Sequence, residues 1–171
     1  MTIKVVLADD HRIVRDGLRS LLERTPDMKV VGEAAHGRTA VELVRNLLPD
    51  VVIMDVSMPG LNGIEATRRI TATTPLVKVI GLSMHSDLTF VTGMLRAGAS
   101  GYLPKDCAID ELVDAIHTVL SSGFYLSPSV AREVAEDYVR HLAIDSSRDR
   151  PILTAREREV AQLVAEGLST K

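Results

Sequence analysis

Short apolar runs and stretches of helical periodicity alternate along the first three-quarters of the chain. Ile3–Ala8 and residues 30–34, 51–54 and 77–82 are dominated by Val, Ile, Leu and Ala, and a shorter run covers 101–103, all of strand length. Between them, Ile13, Val14, Gly17, Leu18, Leu21 and Leu22 share one helical face. Val41, Val44, Leu47 and Leu48 do the same, and so do Ile109, Leu112, Val113, Ile116 and Leu120. Strand runs that are apolar throughout, separated by helices, predict a parallel sheet covered on both faces. The expected fold is α/β, a doubly wound parallel sheet of five strands and five helices in alternation.

The pattern changes after Leu126. Ser127-Pro128-Ser129 reads as a helix start with proline at the first helical position, and Val130, Val134, Tyr138 and Leu142 follow at four-residue spacing. Residues 145–151 are polar and aperiodic, as in a linker. Thr154 and Glu157 then have capping-box spacing. Val160, Leu163 and Val164 form the buried stripe expected of that last helix, and Gly167 is placed to end it. The expected organisation is a first domain over 1–126, a linker with one helix over 127–152, and a partial all-α segment over 153–171.

In an open parallel sheet the ligand site lies outside the carboxyl ends of the strands. Those ends carry Asp9 and Asp10, then Asp55, Ser83 and Lys105. Alone, each has an ordinary explanation: a turn or helix cap for the acids and the serine, a surface position for the lysine. Together, three carboxylates, a hydroxyl and an ammonium suit Mg²⁺-assisted phosphoryl transfer. A hard cation is held by one or two carboxylates plus phosphate oxygens, and positioning with charge neutralisation does most of the work.

Composition narrows this further. Apolar residues make up 46% and aromatic residues 3%, so the core must be aliphatic. The net charge of −3 offers no general basic footprint for nucleic acid. A single cysteine, Cys107, fits a reducing compartment, and no run approaches the ~18 apolar residues of a membrane span, so a cytoplasmic location without membrane contact is expected. The five histidines show no paired ligand spacing and read as surface or cap residues. Neither of the glycine-rich phosphate-binding motifs G-x-G-x-x-G and G-x-x-x-x-G-K-[ST] occurs.

Ala8-Asp9-Asp10-His11, Val52-Ile53-Met54-Asp55-Val56-Ser57-Met58-Pro59-Gly60, Gly81-Leu82-Ser83 and Gly101-Tyr102-Leu103-Pro104-Lys105 closely resemble the receiver domain of two-component response regulators, a flavodoxin-like fold. Leu153-Thr154-Ala155-Arg156-Glu157-Arg158-Glu159 with Glu166-Gly167-Leu168-Ser169 resembles the start of a LuxR-type helix-turn-helix, and the two together resemble the NarL/FixJ subfamily. The resemblance implies Asp55 as phosphoacceptor. It implies Asp9, Asp10, Asp55 and the backbone carbonyl of Ser57 around Mg²⁺, with Ser83 and Lys105 on the phosphoryl oxygens. It further implies Tyr102 as a rotamer switch, and Ser57 and His85 as positions that tune dephosphorylation. The partners it implies are a sensor histidine kinase, DNA for a full-length protein, and a second copy on phosphorylation. No multiple-turnover enzyme is implied.

Two departures stand out. Asp106 occupies the place after the lysine where many receivers have proline, and the sequence reaches Lys171 with the recognition helix not included. The competing readings are a stand-alone phospho-signalling adaptor and an aspartyl-phosphate phosphatase. The latter's two leading acids stand one residue apart instead of adjacent.

Overall fold

The computed structural model describes residues 1–84, 87–107, 109–145 and 155–169. Two compact units are present, Met1–Leu126 and Ser127–Lys171. In the first, the chain alternates β1 (Ile3–Ala8), α1 (Arg12–Leu22), β2 (Met28–Ala34), α2 (Gly37–Leu47), β3 (Val51–Asp55), α3 (Gly63–Thr73), β4 (Lys78–Ser83), α4 (Leu88–Arg96), β5 (Gly101–Pro104), α5 (Ile109–Ser121) and β6 (Tyr125–Leu126). The strands form one sheet in the order β2-β1-β3-β4-β5-β6, and every pairing is parallel.

The sheet therefore has six strands where five were expected. The sixth, β6, is two residues long and pairs Tyr125 with Gly101 and Leu126 with Tyr102. Two residues carry no periodicity, so an apolar-run criterion passes over them. β2 also starts earlier than its apolar run, because Lys29 is an exposed residue within an edge strand. Its register slips by one between Val5 and Val6, which pair with Val30 and Gly32.

Alternation along each strand divides the core in two. Val5, Leu7, Val51, Ile53, Ile80, Leu82 and Leu103 pack with Leu22 of α1 and with Leu112, Ala115, Ile116 and Val119 of α5. The interleaved residues Val6, Ala8, Val52, Met54, Val79 and Tyr102 are buried as well, and the buried residues of α2, α3 and α4 (Ala40, Val44, Ala66, Ile70, Val91 and Met94) serve that second face. Strands covered on both sides are why residues 5–8 of β1, 51–54 of β3 and 79–82 of β4 read as runs free of polar side chains.

The strand order reverses between β1 and β3, where the two loops at the carboxyl ends diverge and leave a crevice. Gly63 fixes the near wall of that crevice. A Cβ there would lie 2.0 Å from the Asp55 carbonyl oxygen and 2.8 Å from Val56 Cα, so only glycine lets α3 start this close to β3. Asn62 caps α3, its side chain accepting from Glu65 N at 2.9 Å.

In the second unit, α6 (Pro128–Asp145) begins at the proline as expected, and α7 (Ala155–Ser169) runs past Gly167, which does not end it. A glycine without a left-handed turn or a following proline is an insufficient stop signal. On α7 Val160 is buried but Leu163 is exposed, so the expected stripe is only partly covered. Along α6, Val130 is buried while Tyr138 and Leu142 are exposed. Thr154, the expected cap of α7, lies outside the described residues. No helix among the described residues is long and apolar enough to cross a membrane.

Candidate functional site

β1 and β3 end side by side in the sheet, with Ala8 opposite Met54, and this register brings the residues that follow them to one rim. Asp9 and Asp55 are both 3% exposed and Asp10 is partly buried. Lys105 reaches in from the end of β5: its Nζ lies 2.6 Å from Asp9 Oδ2 and 3.0 Å from Asp55 Oδ2. Its own backbone N donates to the Ser83 carbonyl at 2.8 Å, which ties the lysine's loop to the end of β4. The structure thus brings Asp9, Asp10, Asp55 and Lys105 together, as their places at strand ends predict.

The electrostatics follow from burial. Loss of water pushes the Asp55 carboxyl above its ordinary value, and the neighbouring Asp9 adds to this. Lys105 and the Ser57 N–H, which donates to Asp55 Oδ1 at 3.1 Å, oppose it without cancelling it. For Lys105, burial alone would lower the ammonium's value; the Asp9 and Asp55 carboxylates outweigh that and hold it above the ordinary lysine value. One ammonium therefore faces two buried acids, with a third acid at the mouth.

The lysine does not satisfy the pocket. Asp9 Oδ2 and Asp55 Oδ2 share the one Lys105 ammonium, and Asp10 Oδ1 has the largely exposed His11 ring beside it, so three carboxylates are served by a single fixed positive charge. Buried oxygens left in this state favour a further positive centre. Asp9, Asp10, His11 and Asp55 each offer one ligand atom, and these atoms lie within 4.8 Å of one another. A hard divalent cation fits that donor set.

The other expected residues occupy different places. Ser83 is buried at the end of β4. Tyr102 is 0% exposed in β5, with its ring beside β4: a Cβ on Gly81 would lie 3.1 Å from it. Ser57 is exposed, and its backbone rather than its hydroxyl addresses Asp55. His85 lies outside the described residues.

Two neighbours make contacts that the sequence does not single out: Arg15, which carries no expectation, and His11, expected as a surface or cap residue. The Arg15 guanidinium donates to the Asp9 carbonyl oxygen at 2.5 Å and approaches Glu33 of β2 at 3.6 Å, bracing the acidic loop from below. His11 stands at the N-cap position of α1 yet makes no side-chain cap; its Nδ1 turns back to Asp9 Oδ1 at 3.2 Å and Asp10 Oδ1 at 3.0 Å. The adjacency of His11 to the acidic pair was the available signal. For Arg15 the signal was a cation one helical turn further on.

Comparison with known proteins gives the family. The family model for the response regulator receiver domain matches residues 5–117. The chain belongs to the response-regulator family, in its NarL/FixJ subfamily. This response regulator is 38% identical to the transcriptional regulatory protein DegU of Brevibacillus brevis, over 99% of the chain and 77% of that protein. It is 41% identical to the response regulator UvrY of Escherichia coli, over 92% of the chain and 71% of that protein. Among solved structures, a LuxR-family two-component response regulator from Aurantimonas superposes with a TM-score of 0.78 at 42% identity. That match covers 81% of this chain and 99% of the other.

Proposed function

We propose that this response regulator takes a phosphoryl group onto Asp55 from the phosphohistidine of a sensor histidine kinase and passes the change to a DNA-binding module. The observation that carries this is Lys105 set between two buried carboxylates, 2.6 Å from Asp9 and 3.0 Å from Asp55, so that one ammonium serves two acids with Asp10 beside them. The pocket is built to receive more positive charge and then a phosphoryl group.

In this reading an Asp55 carboxylate oxygen attacks phosphorus as the bond to the histidine nitrogen breaks, and the imidazole leaves with its electron pair. The Ser57 N–H holds Asp55 Oδ1 and fixes the plane of the attacking group. Asp9, Asp10, Asp55 and the Ser57 carbonyl would hold Mg²⁺, which when bound supplies the charge that keeps the carboxylates ionised and neutralises the phosphoryl oxygens. Lys105 exchanges its pairing with Asp55 for a phosphoryl oxygen, and the Ser83 hydroxyl donates to another. Movement of Ser83 and of the lysine's loop, joined through the Lys105 N–H, frees space beside β4 and β5. Tyr102, wholly inward in this structure, reports that movement as a rotamer switch. Ser57 and His85 set how long the phosphoryl group survives.

Residues 1–126 form the receiver in this proposal, 127–152 the linker, and 153–171 the opening of a LuxR-type helix-turn-helix that meets DNA in the full-length protein. Phosphorylation would also favour a homodimer. The protein would act in the cytoplasm as a single-turnover phosphoacceptor, not as an enzyme.

Intact-mass spectrometry after incubation with acetyl phosphate and Mg²⁺ tests this. One phosphoryl adduct per chain is expected, lost with EDTA and in Asp55→Asn. No adduct, or one that survives Asp55→Asn, overturns the assignment.

A further inference from the structure

Of the three arginines on α1, Arg15 alone turns away from water. Its side chain is 14% exposed, against 84% for Arg12 and 48% for Arg19. A guanidinium gives up hydration at a cost that only fixed partners offset. Two such partners are in place: Nη1 donates to the Asp9 carbonyl oxygen at 2.5 Å, and Nε lies 3.6 Å from Glu33 Oε2 of β2. Glu33 is held in turn, because its other carboxylate oxygen accepts from Arg19 Nη1.

The carbonyl that Arg15 holds is the second observation. It belongs to the planar peptide unit joining Asp9 to Asp10, so its direction fixes how the two side chains leave the backbone relative to one another. The N–H of Asp9 donates to the Ala34 carbonyl at 3.0 Å, one residue along β2 from Glu33. Beyond that bond the chain leaves the sheet, and the arginine holds the next peptide. β2 thus governs Asp9 twice, directly through Ala34 and through Arg15 by way of Glu33.

We infer that Arg15 is a positioning residue of the acidic pocket. Braced by Glu33, its guanidinium orients the Asp9–Asp10 peptide so that both carboxylates address one cation site, and it sets Mg²⁺ affinity without touching the ion or the phosphoryl group. A planar fork suits this task, since it presents separate N–H groups to the carbonyl and to Glu33 in one rigid unit. A lysine offers a single charged centre on a flexible stem. The inference rests on the receiver reading and adds a support drawn from residues which that reading does not use.

The full 171-residue chain is compared with Arg15→Met, Arg15→Lys, Glu33→Gln and the double variant Arg15→Met with Glu33→Gln. Calorimetry gives Mg²⁺ affinity. Labelling by acetyl phosphate across a Mg²⁺ series separates the half-saturating concentration from the maximal rate, and urea unfolding without the cation gives stability. Arg15→Met should bind Mg²⁺ about tenfold more weakly, a loss usual when an outer support of a metal site is removed. Its maximal labelling rate at saturating Mg²⁺ should stay close to that of wild type. Arg15→Lys should recover only part of the affinity although it restores the charge. Glu33→Gln should weaken binding by less, and the double variant should match Arg15→Met, because Glu33 acts through the arginine. Unchanged Mg²⁺ affinity in Arg15→Met, however far its stability falls, would reduce the residue to packing and overturn the inference. Full recovery in Arg15→Lys, or additive losses in the double variant, would overturn it as well. Should Arg15→Met fail to fold, Glu33→Gln decides, and unchanged affinity there overturns the inference. Each of these outcomes leaves the receiver reading intact, whereas a wild type that binds no Mg²⁺ overturns both.

Discussion

Lys105→Met isolates the electrostatic design of the pocket. Methionine keeps most of the aliphatic stem and removes the ammonium, so packing changes little. What remains is Asp9 facing Asp55, with side chains 4% and 2% exposed and ligand oxygens no more than 4.8 Å apart. Two unit charges at that separation repel by about 3.5 kcal/mol at an effective dielectric of about 20. Removing one member of a buried ionic cluster carries a comparable cost. The variant should therefore lose about 3 kcal/mol of folding stability at about pH 8 without divalent cations.

Proton uptake limits the loss at lower pH. Asp55 is already pushed above its ordinary value by burial first and Asp9 second, and loss of Lys105 removes an opposing influence. A carboxyl raised in the folded state stabilises the fold below its unfolded value of 3.8, and that contribution is lost as pH rises through the folded value. The deficit must consequently shrink toward about pH 5 and widen toward about pH 8. A divalent cation should restore more stability to the variant than to wild type, because it replaces the missing charge and meets no competing ammonium. Urea unfolding followed by circular dichroism, at both pH values and with and without Mg²⁺, measures all three effects. A deficit under about 0.5 kcal/mol at the higher pH, or one equal at both, would refute the account.

Two further outcomes test the same geometry from other directions. Gly63→Ala places a Cβ 2.0 Å from the Asp55 carbonyl oxygen, so α3 must withdraw from β3; a loss of about 3 kcal/mol in thermal or urea unfolding is expected, and a variant as stable as wild type would show that the close approach is dispensable. Asp55→Asn removes a carboxyl raised by burial, so without divalent cations its stability relative to wild type should improve as pH rises from 3.8 through the folded value; a difference flat across that window in unfolding experiments would count against a buried, charge-strained Asp55.

The parts of this molecule legible in its sequence are those where one local pattern has one cause. Residues 5–8 of β1, 51–54 of β3 and 79–82 of β4 are buried on both faces, so no polar side chain interrupts them, and the first polar residue after each run marks the rim. That is why the sequence alone puts Asp9, Asp55 and their neighbours on one rim. β6 was illegible because its two residues are held by β5 and not by any pattern of their own. Gly167 misled because a glycine ends a helix only when the backbone beyond it turns, and α7 continues to Ser169.

His11 and Arg15 show the harder limit. Along the chain, one is a residue at a helix start and the other a cation within the helix, and neither description is wrong. Their significance comes from partners that the fold supplies: the return of His11 Nδ1 onto two acids, and the approach of Glu33 from β2 to an arginine on α1. Periodicity reports which side of an element is buried; it does not report which polar groups meet across a crevice. The chemistry that distinguishes this pocket from any cluster of three acids therefore depends on pairings that close only once the sheet is assembled.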